Sequence, residues 1–518
     1  MAKSYWIESL GCPKNKVDSE KLEGTLMSSG YSQASTPECA DILVVNTCAF
    51  IESAREESIA TILDLAAAKR KGPRLVVTGC MAERYGDELS RAMPEVDSVA
   101  GFGVPLDRHS IGEQLVTAGS GESIVTTDID IEKQDIEKQL PTTQSMTPSM
   151  DLLELPRPPH QSPWAYVKIA EGCNRKCGFC AIPSFRGTQR SRSIESIVNE
   201  VKSLGPEVRE IILVAQDTAS WGMDGRTPQQ LDSALLDNRT GIGGNSRSVH
   251  FKGDLTIGCT DSGIPLGTGS GSGSGSGTYS GRPIIDLIDK LSGTVDILRL
   301  LYLYPSSLNE QLIKAICSTG TPYFDMSLQH CSSSLLRRMR RWGNRERFLK
   351  IIDSIRSIEP QAILRSSFVV GYPGETENDH EMLVRFLEDA SLDWAGFFPF
   401  SLEEGTFAQT LDDQVPQDVV MRRTRECSEV QDSIMISRRA SQIGRTVTAL
   451  IDSPGQARSY MEAPEIDGII HVPPNLQIGS LIPIVITGLQ GFDLIGRPAH
   501  STNIKLRTGK ALTDSRIL

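Results

Sequence analysis

Short unbroken apolar runs alternate with stretches of helical spacing through the first hundred residues. Residues 5–10, 40–45 and 74–78 read as strands, and 18–28 and 51–69 as the helices between them. Unbroken apolar strands separated by helices predict a parallel sheet covered on both faces. A polar, proline-rich stretch at 125–159, with a doubled IEKQ and a PRPP end, reads as a linker. Beyond it, apolar runs recur at 165–170, 210–214, 297–304, 323–328, 362–370 and 394–400, with helical stretches at 193–204, 309–317, 345–358 and 377–390. Six β/α units predict a partial, TIM-like barrel whose chemistry sits on the loops after its strands. Residues 417–439 predict a connecting helix. Short β-like runs at 447–451, 468–472 and 481–486, punctuated by Gly and Pro, predict a small antiparallel β-barrel.

The fold class is therefore α/β and multidomain, divided as 1–117, a linker 118–160, a core 161–402, a connecting helix 403–439, a barrel 440–505 and a tail 506–518. An insertion at 226–281 interrupts the core. It alternates Gly and Ser from Gly269 to Gly277 and reads as a flexible excursion without a part in catalysis.

The cysteines bring chemistry into this outline. Cys173, Cys177 and Cys180 stand in CNRKCGFC, on the loop after the first core strand. Three thiolates on one short loop can hold three irons of a 4Fe-4S cube and leave the fourth iron open. A closed zinc site needs four ligands, and this loop has no fourth Cys or His. Cys12, Cys48 and Cys80 each follow a predicted strand of the first sheet, at the carboxyl ends where parallel sheets bind ligands. One such cysteine reads as packing. Three at equivalent strand ends read as a second thiolate set drawn from distant sequence. Cys39, Cys259, Cys317 and Cys427 lack such placement and read as structural. At Cys331, which follows His330, packing is preferred to a metal role.

Other residues sit on the strand-end loops of the core. Gln216-Asp217 follows its second strand and GYPGET (371–376) its fifth. Arg365, on the fifth strand, can meet the carboxylate of a bound small molecule or line the barrel in an ion pair. GYPGET is equally compatible with a tight turn before a helix, with Glu375 and Glu377 favourable at the helix start.

Charge narrows the partners. The chain has 53 Lys and Arg against 65 Asp and Glu, a net charge of −12. That argues against a general nucleic-acid binder and suits a basic protein partner. Between 440 and 503, three Arg face five carboxylates, a balance of −2, where phosphate binding needs a positive surface. The opening MAKSYWIESLGC has no signal-peptide pattern, and no run of 18 apolar residues suggests a membrane span. A reducing cytoplasmic compartment is expected, which also suits thiolate ligands.

CxxxCxxC on a barrel-like domain resembles the radical S-adenosylmethionine (SAM) enzymes. The three-cysteine sheet before it narrows the likeness to the methylthiotransferases, through GCPKNKVDSE, NTCAFIESAREES, VTGCMAERY, KIAEGCNRKCGFCAIPSFRG, LVAQDT, GYPGET and EEGT. The last domain resembles the TRAM module. GCPKN, AIPSFRG and LYLYP most resemble the branch acting on an aspartate of ribosomal protein S-twelve. SLQHCSSS departs from the family's PLQHSS-like run at Ser327 and Cys331, and the insertion is longer than the family expects.

The resemblance implies two 4Fe-4S clusters. Cys173, Cys177 and Cys180 would ligate the one that binds SAM, with Phe179 shielding it and Gln216 and Arg365 in its surroundings. Cys12, Cys48 and Cys80 would ligate an auxiliary cluster that carries sulfur. It also implies two uses of SAM, a sulfur donor, and an electron donor such as flavodoxin or ferredoxin. The partner would be ribosomal protein S-twelve or the small ribosomal subunit. The rival readings are the branch that methylthiolates an adenosine of tRNA, and an iron-sulfur electron carrier or scaffold.

Overall fold

Five strands pair in parallel in the first domain of the computed structural model, which describes residues 3–69, 72–102, 151–225 and 282–499. They are β1 (Ser4–Ser9), β2 (Ser32–Gln33), β3 (Ile42–Thr47), β4 (Arg74–Gly79) and β5 (Ser98–Val99), in the order β2-β1-β3-β4-β5. Every residue of β3 is buried, as its unbroken apolar run requires of a sheet covered on both faces. Helices α1 (Pro13–Ser28), α2 (Glu52–Ala68) and α3 (Cys80–Ala92) follow β1, β3 and β4. Pro13 opens α1 directly after Cys12, where a helix tolerates proline best. The helix starts earlier than the expected residue 18 because its first turn is polar and buried, a pattern that imitates a loop. Lys14, Asn15, Asp18, Ser19 and Lys21 are among its buried residues.

The core holds β6 (Trp164–Lys168), then the short antiparallel pair β7 (Ala170–Glu171) and β8 (Arg190–Ser191), which brackets the CNRKCGFC loop. The parallel strands continue with β9 (Glu210–Val214) and β10 (Ile297–Leu300), in the order β10-β9-β6. A second parallel sheet contains β11 (Tyr323–Gln329), β12 (Ile363–Val370) and β13 (Trp394–Pro399). A parallel bridge between Leu303 and Met326 joins the two, so six strands run in chain order around a partial barrel. Helix α4 (Ile182–Arg186) leaves the cysteine loop, and α5 (Ile194–Ser203) leads to β9. GYPGET is a turn and a helix cap. Thr376 and Asp379 form a reciprocal capping box, and Glu375 is buried against Arg423 at 3.0 Å.

The C-terminal barrel closes as β14 (Thr446–Ser453), β15 (Gln456–Arg458), β16 (Ile470–His471), β18 (Asp493–Pro498) and β17 (Leu481–Gln490), in that spatial order. One pairing corrects the expected antiparallel barrel: β16 and β18 are parallel. The chain between β15 and β16 makes no tight turn, since it packs under the core first. Tyr166 donates to the Pro464 carbonyl at 2.8 Å, Trp394 to that of Met461 at 3.0 Å, and Arg299 to those of Tyr460 and Ser459. Tyr166, Ile212, Tyr323, Ile363 and Trp394 share one buried cluster with Ile451, Met461 and Ile484. The barrel thus stands against the amino ends of the core strands and leaves their carboxyl ends for the site.

Most of the expected linker, the insertion 226–281 and the tail 506–518 lie outside the described residues. The linker's end is packed. Lys21 donates to the Leu153 carbonyl at 2.6 Å, and Arg157 to the Tyr166 carbonyl at 2.7 Å and the Glu200 carboxylate at 3.0 Å. Among the described residues no helix is long and apolar enough to cross a membrane.

Candidate active site

The first cysteine set is built by strand ends. Cys12 caps α1 after β1, Cys48 directly follows β3, and Cys80 begins α3 after β4. Two glycines let these ends converge. A Cβ on Gly11, at φ +89°, would lie 2.7 Å from the Cβ of Cys48. One on Gly79, at φ +91°, would lie 2.2 Å from Asn46 Oδ1. Asn15 then fastens β1 to β3, its amide donating to the carbonyls of Leu10 at 2.7 Å and Thr47 at 3.1 Å.

The three thiols feel one another's charge. Burial first, then Cys12 and Cys80, push the Cys48 thiol up to about 12. Burial raises Cys80 as well, against the pull of Arg186. At Cys12 burial is outweighed by Lys14, Arg186 and the amides of the helix start, so its thiol lies below the ordinary value.

The second set is held by loop closure. The Cys173 amide donates to the Gly187 carbonyl at 3.0 Å and that of Gly178 to Met339 at 2.8 Å. Arg341 donates to Cys177 Sγ at 3.2 Å, with its guanidinium 4.4 Å from the Tyr304 ring centre. Burial pushes Cys180 up to about 12, with Cys177 and Cys173 adding to it.

A buried charge network runs between the two sets. Arg186, in the helix after Cys180, donates to Cys80 Sγ at 3.0 Å, Asn15 Oδ1 at 3.2 Å, Asp18 Oδ2 at 3.2 Å and Glu171 Oε1 at 2.9 Å. Lys168 pairs with the same Asp18 and, at 2.6 Å, with Glu171. Burial opposes the ionised Glu171, but Arg186 and Lys168 outweigh it and hold its carboxyl far below the usual range. These residues join the first domain to the core. Arg84 and Arg55 add a second tie to the core through Glu403, with Arg84 at 2.8 Å.

The remaining expected residues fall differently. Phe179 packs edge-on to Tyr372, with ring centres 6.5 Å apart. Gln216 donates to Glu171 Oε1 at 3.3 Å, and its own Oε1 is buried without a partner. Arg365 pairs with Asp325 at 2.8 Å and Asp467 at 3.4 Å, the ion pair that was one of its two readings. Cys331 and Cys427 lie in the main hydrophobic core, Cys39 is exposed, and Cys259 is outside the described residues. Sequence reasoning missed Lys14, Asp18, Lys168, Glu171, Arg186 and Arg341. Only Lys168 carried a signal, a charge inside the apolar run 165–170; the others stand in or beside polar stretches.

Each triad suits a 4Fe-4S cube with one open iron. The donors are thiols alone, three per set, and a cationic centre would ionise Cys48, Cys80, Cys173 and Cys180, whose thiols burial holds protonated. Among the described residues no three His, Cys, Asp or Glu are arranged around a single metal ion.

Comparison with known proteins follows the same three-part division. Residues 4–101 match the uncharacterized protein family UPF0004, residues 167–387 the radical SAM superfamily, and residues 443–498 the TRAM domain. The chain is 35% identical to the ribosomal protein uS12 methylthiotransferase RimO of Cutibacterium acnes, over 96% of this chain and 98% of that one. The RimO of Moorella thermoacetica is 35% identical over 95% of this chain and 98% of its own. That of Aquifex aeolicus is 33% identical over 96% and 98%. Among solved structures, the radical SAM methyltransferase TsrM from Kitasatospora setae aligns at 12% identity and a TM-score of 0.44, over 77% of this chain and 72% of that one.

Proposed function

The chain belongs to the ribosomal protein uS12 methylthiotransferases, and we propose on that basis that it adds a methylthio group to the β-carbon of an aspartate of uS12. One observation supports this most: a single side chain, Arg186, leaves the helix that follows the CNRKCGFC loop and reaches the thiol of Cys80 at 3.0 Å. Two open-iron sites that cooperate need such closeness. A pure electron carrier has no need of it.

When bound, 4Fe-4S clusters on the two triads and two molecules of SAM supply the radical cleavage of an unactivated C–H bond and the sulfur to be transferred. Cys173, Cys177 and Cys180 would hold one cluster, and Cys12, Cys48 and Cys80 the other. The chain's residues set the geometry. Gly11 and Gly79 let the strand ends converge, and Asn15 locks them. Arg186, Asp18, Lys168 and Glu171 fix one set against the other in a water-excluding contact. Phe179 would cover the loop cluster, and Gln216 would border it.

We assign residues 1–117 to the auxiliary site and 161–402 to the radical core. A cytoplasmic location and an electron donor of the flavodoxin or ferredoxin kind are part of the same reading. The C-terminal barrel supports a protein over a tRNA substrate. Of its three arginines, Arg458 is buried between Glu210 and Asp452 and is not offered to phosphates. The test is mass spectrometry of uS12 and tRNA from cells with and without this chain. The methylthio mass should vanish from uS12 alone, and its loss from tRNA alone would refute the substrate.

A further inference from the structure

Three lysines are buried in the described residues: Lys14, Lys21 and Lys168. Lys21 is paired with Glu200 at 3.0 Å, and Lys168 with Asp18 and Glu171. Lys14 is 6% exposed and forms no ion pair or hydrogen bond through its ammonium with any described residue. Its Nζ stands 3.3 Å from the centre of the Tyr302 ring. An ammonium so enclosed and without a carboxylate partner is under-compensated, and a ring face makes up only part of the difference.

The carboxylates around Lys14 are already committed. It lies in the field of Cys12, Arg186, Asp325 and Glu171. Asp325 is held by Arg365 at 2.8 Å and accepts from the Tyr302 amide at 3.0 Å. Glu171 is held by Arg186 and Lys168. Neither carboxylate is free to turn to Lys14. Tyr302 carries a second sign. It is a non-glycine residue at φ +62°, just past β10, a conformation that costs energy and gathers at binding sites. Its ring lies against the lysine, and the Cys12 thiol acts through its charge on both.

We propose that the Lys14 ammonium receives the side-chain carboxylate of the target aspartate and so presents its β-carbon between the two cysteine sets. The inference rests on the proposed uS12 reading and assigns the contact that would select aspartate there. A compact three-donor cation suits one carboxylate arriving from outside. An asparagine in its place would bring no charge and leave the ammonium unpaired.

The test uses reconstituted full-length enzyme and two peptides spanning the uS12 target, one with aspartate and one with asparagine at the modified position. Wild type should bind the aspartate peptide roughly 30-fold or more tightly than the asparagine one, as expected when a buried charge pair loses a partner. Lys14→Met, which keeps length and apolar contact with Tyr302, should bind both with indistinguishable affinity while keeping its iron content and its affinity for SAM. Lys14→Arg should recover part of the preference. A Lys14→Met enzyme that keeps the wild-type preference overturns the inference. So does one that loses SAM affinity or iron, since the cation then serves SAM or a cluster. Absence of any preference in wild type overturns the inference alone, whereas failure of wild type to bind either peptide counts against the uS12 reading.

Discussion

Arg186 Nη2 lies 3.0 Å from Cys80 Sγ, although the two residues belong to different domains. The same guanidinium binds Asp18 and Glu171, so the contact to the thiol is one prong of a buried ion cluster. Removing it leaves Lys168 alone to balance two buried carboxylates. Arg186→Met should therefore destabilise the protein by about 3–5 kcal/mol in denaturant unfolding. It should also abolish methylthio transfer. Arg186→Lys should keep part of the stability and lose the reach to Cys80. Wild-type product from Arg186→Met would remove the network from the mechanism.

The two cysteine sets should separate functionally. Cys177→Ala is expected to stop 5′-deoxyadenosine formation. Cys48→Ala is expected to leave SAM cleavage intact and yield no methylthio product. Chromatography of the nucleoside and mass spectrometry of the peptide read both. Methylthio transfer by Cys48→Ala would show that the first sheet holds no sulfur for the reaction.

Arg341 bears on the loop cluster alone. It donates to Cys177 Sγ at 3.2 Å, and such hydrogen bonds make a cluster easier to reduce. A bond of about 1 kcal/mol corresponds to on the order of 50 mV for one electron. Arg341→Met should lower the midpoint potential by that amount in an EPR-monitored titration. An unchanged potential would reduce Arg341 to packing over Tyr304.

Acid should loosen the seam beneath the site. Burial opposes the ionised Glu200, but Arg192, Lys21 and Arg157 outweigh it and hold its carboxyl at about 2, below the usual 4.5. A depressed carboxyl contributes its stability above the unfolded value, and loses it as pH falls from 4.5 through about 2. That shift corresponds to about 3 kcal/mol. Urea midpoints of the cluster-free protein should fall across this window in wild type and much less in Glu200→Gln. Parallel acid limbs would deny Glu200 that role.

The frame of the fold was legible wherever burial on both faces leaves an unbroken apolar run. Residues 210–214 form β9 as read, and the cysteines of the first sheet stand at strand ends as read. What escaped was tertiary. The first half of α1 looks like a polar loop because Asp18 and Lys21 are matched by charges over a hundred residues away. Arg365 had two equal readings until Asp325 and Asp467 came beside it from another strand and another domain. Strand β18, with Gly496 and Pro498 in DLIGRP, shows no alternation and exists because β16 and β17 flank it. Lys14 could not be singled out before the fold showed that, of the lysines buried among the described residues, it has no acid partner while Lys21 and Lys168 do.

Iron and acid-labile sulfide counted on anaerobically reconstituted protein test the two-site account most directly. Wild type should hold about eight of each per chain, and about four of each should remain when either Cys12, Cys48 and Cys80 or Cys173, Cys177 and Cys180 are all changed to Ala. About four irons in wild type, or about eight retained without Cys12, Cys48 and Cys80, would contradict it.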